Sequence, residues 1–276
     1  MSAQLHLYPF VELWHPWVFA WILLIQIAYL LAVGPLREGF RWGAPVSTAQ
    51  QISFSIGLWT IYLSEGTPLH ILSEHYLFSM HMIQHILLTL ILPPLVLMGV
   101  PAWMFRPVIR GRVGSVAARV LTHPVVALLA FNLIYSIWHM PLAYQSTLWH
   151  HGFHMVQHAI LVFTAFMMWM PLVSPVPELP RLSPGAQMVY VFLMGISQIV
   201  VFGAITFADE VLYGFYAQAP RIWSAVTPEL DQQIAGIIMK IGGMAVFLLT
   251  WGIVFFKWAA REGAQWGPSQ SQPVTK

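Results

Sequence analysis

Long apolar runs, separated by short segments rich in polar residues, Pro and Gly, dominate this chain and predict membrane-crossing helices. The runs approach or exceed the roughly 20 residues that an α-helix needs to cross a bilayer. Several are bounded by sequences that disfavour helix continuation, such as Gly34-Pro35, Gly66-Thr67-Pro68, Gly99-Val100-Pro101 and Ser183-Pro184-Gly185. We predict seven spans, at residues 17–33, 46–63, 72–98, 123–140, 152–173, 186–207 and 233–258. The pattern thus predicts an all-α, polytopic membrane helix bundle.

Composition agrees with this class and leaves no room for a separate soluble domain. Of the 276 residues, 58% are hydrophobic and 8% are charged, and the mean hydropathy is +0.69. A soluble domain carries about 25% charged residues. The basic residues are dispersed over the loops, which argues against a nucleic-acid partner. We expect an external segment at 1–16, a seven-helix domain in the lipid bilayer at 17–258, and a cytoplasmic polar tail at 259–276.

The distribution of Lys and Arg predicts the orientation, because short loops rich in these residues stay in the cytoplasm. Most basic residues follow the first, third, fifth and seventh spans, whereas the opposite side holds only Arg221. The amino terminus is therefore expected outside and the carboxy terminus inside. On this topology most histidines and seven of the ten carboxylates lie at or near the outer surface. This asymmetry suggests an outward-facing site for a cation or a partner.

A repeated motif, HMxQH, provides the candidate chemistry. It places His81 and His85 on the third predicted span and His154 and His158 on the fifth. Residues i and i+4 lie on one face of a helix, so each copy directs two imidazoles the same way. Such pairs are suited to holding a metal or a haem. A buried, merely hydrogen-bonded histidine is the common alternative for any single copy, and the repetition favours ligands.

Residues around the repeat extend the candidate site. Glu74 lies seven residues before His81, His150 and His151 lie one turn before His154, and His139 ends the fourth span at the outer mouth. The chain has no cysteine, so metal ligands would be His, Met or carboxylate. Nearby methionines more often serve packing, and Gln84 and Gln157 are better suited to bonds between helices than to ligation.

The seventh span carries two further polar residues. Asp231 is suited to capping the amino terminus of its own helix. Lys240 lies deeper, where an ammonium costs about 2.5–3.5 kcal/mol on insertion scales and normally faces a cavity or a partner. We expect Lys240 to pair with an acidic residue in the outer mouth. The sequence contains no Gly-rich phosphate loop, nucleophile elbow or HExxH motif, so no enzymatic activity is expected.

Five segments in order resemble one known family: HMIQHILL with PPLVLMGVP, WHMPLAY at 138–144, HHGFHMVQH at 150–158, FGAITFADEVLYGFY at 202–216 and DQQIAGIIM at 231–239. Over roughly residues 50 to 258 the chain resembles the CtaG family of bacterial cytochrome c oxidase assembly factors, of the seven-span type and not the single-span copper chaperone of the same name. The resemblance implies a multi-pass protein of the bacterial plasma membrane that serves haem-copper oxidase maturation, with oxidase subunits or other assembly factors as partners and copper as the metal.

Position by position, the resemblance carries the family's histidines onto His81, His85, His139, His154 and His158, and its span-seven motif onto Asp231 and Met239. The chain departs from the family at Lys240, where a large aromatic residue is usual. Two other functions remain open from the residues alone. One is a membrane cytochrome b with bis-histidine haem, and the other is a transporter that uses His and Lys240 as relays.

Overall fold

The computed structural model describes residues 8–149 and 151–265, with the side chains of 148, 149, 151 and 263–265 left aside. Every regular element in these ranges is helical, which confirms the all-α class. The α-helices are α1 Phe10–Trp14, α2 Pro16–Leu31, α3 Arg37–Phe40, α4 Thr48–Glu65, α5 Pro68–His75, α6 Phe78–Ile86, α7 Leu92–Gly99, α8 Ala102–Phe105, α9 Gly111–Leu121, α10 Pro124–Trp138, α11 Pro141–Trp149, α12 His151–Val173, α13 Pro184–Ser197, α14 Ile199–Thr206, α15 Gly214–Gln218 and α16 Pro228–Gln265.

Five helical stretches of the described ranges are long and apolar enough to cross a membrane: Phe10–Phe40, Phe78–Gly99, Gly152–Val173, Pro184–Thr206 and Pro228–Glu262. The number rises to six if α9 and α10, which are bent by 70° relative to each other, form one span. The predicted spans at 46–63 and 123–140 correspond to α4 and to α10, and neither qualifies alone. Helix α10 has only 15 residues. The chain is therefore a multi-pass membrane protein with five or six candidate spans in these ranges.

Helix α4 is less apolar than its neighbours because it uses polar residues to pack inside the bundle. The Ser53 hydroxyl donates to the Leu95 carbonyl of α7 at 2.7 Å. The two backbones approach so closely that a Cβ added at Gly99 would lie 2.5 Å from the Phe54 amide nitrogen. The Tyr29 hydroxyl of α2 donates to the Gly99 carbonyl at 3.0 Å and its ring stacks on Phe54. Glycine is required at this crossing because any side chain would separate α4 from α7.

Most of the expected helix breaks occur, but Gly34-Pro35 does not end a helix. The chain passes from α2 to α3 through a π-helical turn at Ala32–Leu36, in which Gly34 has a non-helical backbone. Glycine absorbs the distortion that the proline ring imposes on the preceding turn. By contrast, α5 begins directly at Pro68, α7 ends at Gly99 and α13 begins at Pro184.

The predicted span 72–98 is two helices with a break at Tyr76–Leu77, so Glu74 lies on α5 and not in line with His81 on α6. Helix α6 then continues into α7 through a π-helical turn at Leu87–Ile91, before Pro93 and Pro94. Pro93 has no amide hydrogen to donate to the Thr89 carbonyl. The Trp169 indole of α12 donates to that carbonyl instead, at 3.0 Å. This bond joins the two helices that carry the histidine repeats.

Candidate metal centre

The structure brings together the five histidines that the sequence singles out. His81 and His85 lie on α6, His154 and His158 on α12, and His139 follows the last residue of α10. Along each helix the paired ring centroids are 4.4 Å apart. Across the helices, His81 lies 5.3 Å from His154, His85 lies 5.3 Å from His158, and His139 lies 5.4 Å from His85. The two copies of HMxQH therefore face each other at matching depth, and we call these residues the histidine cluster.

Burial and missing hydrogen bonds distinguish this cluster from ordinary core histidines. His81 is 0% exposed and His85 is 3% exposed. Both ring nitrogens of His81 and His85, and Nε2 of His139, His154 and His158, have no hydrogen-bond partner in the described part of the chain. A buried polar atom without a partner costs about 1–3 kcal/mol, and native proteins rarely tolerate one. Seven such nitrogens in one place are available to hold a bound group.

The spacing of the nitrogens suits a metal ion. One ring nitrogen from each of His81, His85 and His158 lies within 4.8 Å of the other two. Two nitrogens that bind one ion at about 2 Å each are at most about 4 Å apart. The three imidazoles thus lie close enough for small side-chain movements to let them share an ion. Neutral imidazole is a preferred ligand of copper, zinc and iron.

The second nitrogen of three cluster histidines faces an oxygen acceptor. Nδ1 of His139 lies 2.7 Å from the Tyr135 carbonyl, and Nδ1 of His154 lies 2.8 Å from Glu74 Oε1. Nδ1 of His158 lies 3.8 Å from Glu65 Oε1. Such acceptors favour the hydrogen on Nδ1 and leave the Nε2 lone pair for a metal, as is usual around metal-binding histidines. Glu74, predicted as a supporting residue, thus orients His154 of α12 from its own position on α5.

The sequence analysis missed two residues of this surrounding shell, Glu65 and His70. His70 lies between two carboxylates, with Nδ1 3.4 Å from Glu65 and Nε2 3.5 Å from Glu74. Burial alone would lower the pKa of His70, but the hydrogen bond with Glu65 and the charges of Glu74 and Glu65 outweigh it and raise the pKa. The spacing of His70 and Glu74 by one helical turn is the signal that identifies this pair. The Gln84 amide of α6 donates to the Ser64 carbonyl of α4 at 2.8 Å, next to Glu65. This is the bond between helices that was predicted for Gln84.

A cavity of about 650 Å³ gives access to one side of the cluster. His154 and His158 line it together with Glu65, His70 and Glu74, and His15 lies at the same wall. Leu88, Leu92 and Val162 form its apolar part. An ion in this cavity could thus reach His154 and His158, and it would lie beside the carboxylates of Glu65 and Glu74. Of the other predicted supporting residues, His150 lies outside the described residues, as does the side chain of His151.

Buried tyrosines close the opposite side of the cluster, and the sequence analysis did not identify them. The Tyr135 ring stacks on His139 with centroids 4.1 Å apart, and Tyr144 lies 5.2 Å from His81. The hydroxyls of Tyr144 and Tyr216 are 3.1 Å apart, and the Tyr213 hydroxyl donates to the His139 carbonyl at 2.9 Å. For Tyr144, Tyr213 and Tyr216, positions within the segments WHMPLAY and FGAITFADEVLYGFY are the signal that was available in the sequence, whereas Tyr135 lies outside both segments.

Asp231 caps α6 rather than its own helix, α16. Its carboxylate accepts hydrogen bonds from the Phe78 amide at 2.7 Å and from the Ser79 amide at 3.2 Å. These are the first two amides of α6, which have no partners within that helix. The local interpretation failed because the break at Tyr76–Leu77 places a new helix start against the side of α16. Asp231 therefore positions the turn that leads to His81.

Met239 and Lys240 are neighbours on α16, but their side chains lie in different surroundings. Met239 is buried and lines a small cavity together with His85 and Met82. Lys240 lies in an apolar groove of about 430 Å³ between α13 and α16, which Phe247 and Trp251 also line. None of the ion pairs found in 8–149 and 151–265 involves Lys240. The acidic partner expected for Lys240 is thus not found in these ranges. Asp231, on the same helix, instead binds the first amides of α6.

Comparison with known proteins follows this geometry. The sequence profile of the cytochrome c oxidase caa3 assembly factor family (Caa3_CtaG) matches residues 27–261, which include the whole histidine cluster. No curated protein and no solved structure matches the chain. The match extends the resemblance found in the motifs from roughly residues 50–258 to nearly the whole chain. The chain belongs to the cytochrome c oxidase caa3 assembly factor family.

Proposed function

We propose that this protein handles copper for a haem-copper oxidase, as an assembly factor that holds the ion in the histidine cluster and passes it on. The observation that supports the proposal is the convergence of five imidazoles, four of them buried and that of His158 partly buried, whose Nε2 atoms all have no protein partner in the described residues. A haem-copper oxidase needs copper during its maturation, and imidazole is a good copper ligand. The family's role in assembly also favours a non-catalytic protein, with oxidase subunits or other assembly factors as partners.

The arrangement supports a simple order of events for the copper cargo. The cation reaches the 650 Å³ cavity, where the carboxylates of Glu65 and Glu74 attract it. His154 and His158 line that cavity and also contact the deeper pair, at ring-centroid distances of 5.3 Å for both His81–His154 and His85–His158. These two histidines would take up the ion first. His81, His85 and His139 then complete the set of ligands.

The two alternative functions find less support in the geometry. A bis-histidine haem needs a flat slot between two helices. The cluster rings pack at centroid distances of 4.4 to 5.4 Å, and Tyr144 fills the space beside His81. A proton or ion relay would need Lys240 beside the histidines, but Lys240 lies in the groove between α13 and α16. We therefore prefer copper handling to a cytochrome or a transporter function.

Metal analysis combined with an absorption spectrum of the purified full-length protein tests the proposal. We expect copper at a fixed ratio to protein after loading, retained through desalting, without the intense band of haem near the blue end of the visible spectrum. A haem spectrum in the protein as isolated would favour the cytochrome alternative. Failure to retain copper above the level of a variant that lacks the cluster would contradict copper handling.

We also propose that the chain crosses the bacterial plasma membrane seven times, with the amino terminus outside. The Lys and Arg distribution supports this arrangement, and α4 and α10 would supply the sixth and seventh crossings. The histidine cluster then lies in the outer half of the membrane. A periplasm-dependent reporter should be active when fused after Ser146 and inactive when fused after Arg112. Activity after Arg112 would overturn the orientation.

Glu74→Gln should weaken copper binding without loss of protein. The carboxylate of Glu74 lies 2.8 Å from Nδ1 of His154 and orients its ring, and removing such a partner typically costs 10- to 100-fold in metal affinity. Glutamine keeps the shape and one acceptor oxygen, so the expected loss is about tenfold. Copper competition titration on purified protein measures it. Glu210→Gln, which removes an exposed carboxylate, is the matched control and should leave the affinity unchanged. Equal affinities for both variants would refute the role of Glu74.

A further inference from the structure

The segment after α7 forms a surface platform that the copper proposal does not use. It consists of α8, a 3-10 turn at Arg106–Ile109 and α9. Helix α9 buries none of its residues, and Val113, Val116 and Val120 are 84%, 51% and 54% exposed. Their spacing of three and seven residues puts these valines on one face of the helix. A membrane protein would bury such a face in the interface of the bilayer.

The direction of α9 fits that interpretation. It meets α10 at a bend of 70°, so the two helices cannot both run along the same membrane normal. A short amphipathic helix with basic residues on its flank and an apolar face lies typically in the plane of the membrane surface. Arg112 and Arg119 provide the basic flank of α9. The valine face therefore points to lipid, and the arginines lie at headgroup level.

A pocket of about 380 Å³ lies beside this helix, lined by Trp103, Arg106, Arg110, Ser115, Arg119 and Glu178. Three guanidinium groups face one carboxylate, which leaves two positive charges uncompensated in the pocket. The single carboxylate, Glu178, is 2.8 Å from Nε of Arg106. The ion pairs found in the described ranges include neither Arg110 nor Arg119. This lining is complementary to an anion.

We propose that the pocket binds the phosphate headgroup of an anionic phospholipid, whose acyl chains lie against the platform beside the valines of α9. Guanidinium groups bind phosphate with charge-assisted, bidentate hydrogen bonds. Trp103, which also lines the pocket, is a residue type that prefers the membrane interface. A lipid satisfies both the charged pocket and the adjoining apolar face, whereas free phosphate satisfies only the pocket. Occupation would hold the bend between α9 and α10.

Native mass spectrometry of the full-length protein, titrated with dioleoylphosphatidylglycerol or dioleoylphosphatidylcholine, tests the proposal. We expect one phosphatidylglycerol to bind at least about tenfold more tightly than phosphatidylcholine, since Arg110 and Arg119 attract the net negative charge that phosphatidylcholine lacks. The double variant Arg110→Gln/Arg119→Gln should lose this preference. Lys257→Gln/Arg261→Gln removes the same charge from exposed residues of α16 outside the pocket and should keep the preference.

Three outcomes would overturn the proposal. The first is a wild-type protein without preference between the two lipids, a result that requires no variant to fold. The second is equal loss of preference in both double variants, which would indicate general surface attraction. The third is displacement of the bound lipid by inorganic phosphate at millimolar concentration, which would indicate a site for the free anion. None of these results depends on copper, so the test is independent of the proposed function.

Discussion

The double variant His81→Ala/His85→Ala is expected to lose stoichiometric copper binding and to abolish oxidase maturation under copper limitation while still accumulating in the membrane. Both rings contribute nitrogens to the closest group of three, and neither makes a hydrogen bond within the described residues. Their removal therefore leaves no protein donor or acceptor without its partner. The expected structural cost is that of the space left behind.

The double variant of His154 and His158 is expected to differ from the first in its membrane abundance. His154→Ala/His158→Ala should abolish copper binding as well, but it removes the bond between His154 and the partly buried carboxylate of Glu74. We expect lower membrane abundance for this variant than for the α6 pair. His70 stays beside Glu74 at 3.5 Å, so the expected cost is the loss of one contact of this carboxylate rather than of all.

Immunoblots of membranes, copper analysis of purified protein and oxidase spectra of cells measure the three effects. His123→Ala is the control, since His123 is an exposed histidine at the opposite end of α10 from His139. It should change none of the three. Normal accumulation of both cluster doubles together with full oxidase maturation under copper limitation would refute the copper site. A loss of activity that follows abundance in both doubles would instead indicate a structural role.

Asp231→Ala is expected to lower stability and copper affinity together. The carboxylate is 1% exposed and accepts two hydrogen bonds from the first turn of α6. Alanine leaves two buried amides without an acceptor, each at a cost of about 1–3 kcal/mol. The first turn of α6 should then loosen, and His81 follows it directly. Thermal unfolding in detergent and copper titration measure the two effects.

Asp231→Asn distinguishes the effect of the negative charge of Asp231 from the effect of its hydrogen bonds to α6. Asparagine keeps one acceptor oxygen, so it should retain part of the stability that alanine loses. Asp209→Ala removes an exposed carboxylate from the loop between α14 and α15, and it should behave like the unmodified protein. An Asp231→Ala protein with an unchanged unfolding temperature would show that the cap does not support α6. Unchanged copper affinity in a destabilised protein would separate the cap from the site.

Local patterns in the sequence were sufficient for the helical class and for the central histidines. Apolar runs of about 20 residues form helices because a bilayer leaves no other way to satisfy backbone hydrogen bonds. Spacing by four residues puts His81 beside His85, and His154 beside His158, in any helix. The repeat itself suggested that the two pairs meet, and they do meet across α6 and α12. Copper as the ion, and the number of spans, stay predictions.

The partners of these histidines depended on the tertiary structure. Glu74 was expected in line with His81, but the break at Tyr76–Leu77 moved it to α5, where it contacts His154, 80 positions away along the chain. Asp231 was expected to cap its own helix, but it caps α6 across 153 positions. Periodicity reports which residues share a face of one helix, whereas contacts between helices follow from packing. The chain alone thus determined the helices and their imidazole pairs, and only packing decided which carboxylates orient them, because those contacts join residues that no local pattern connects.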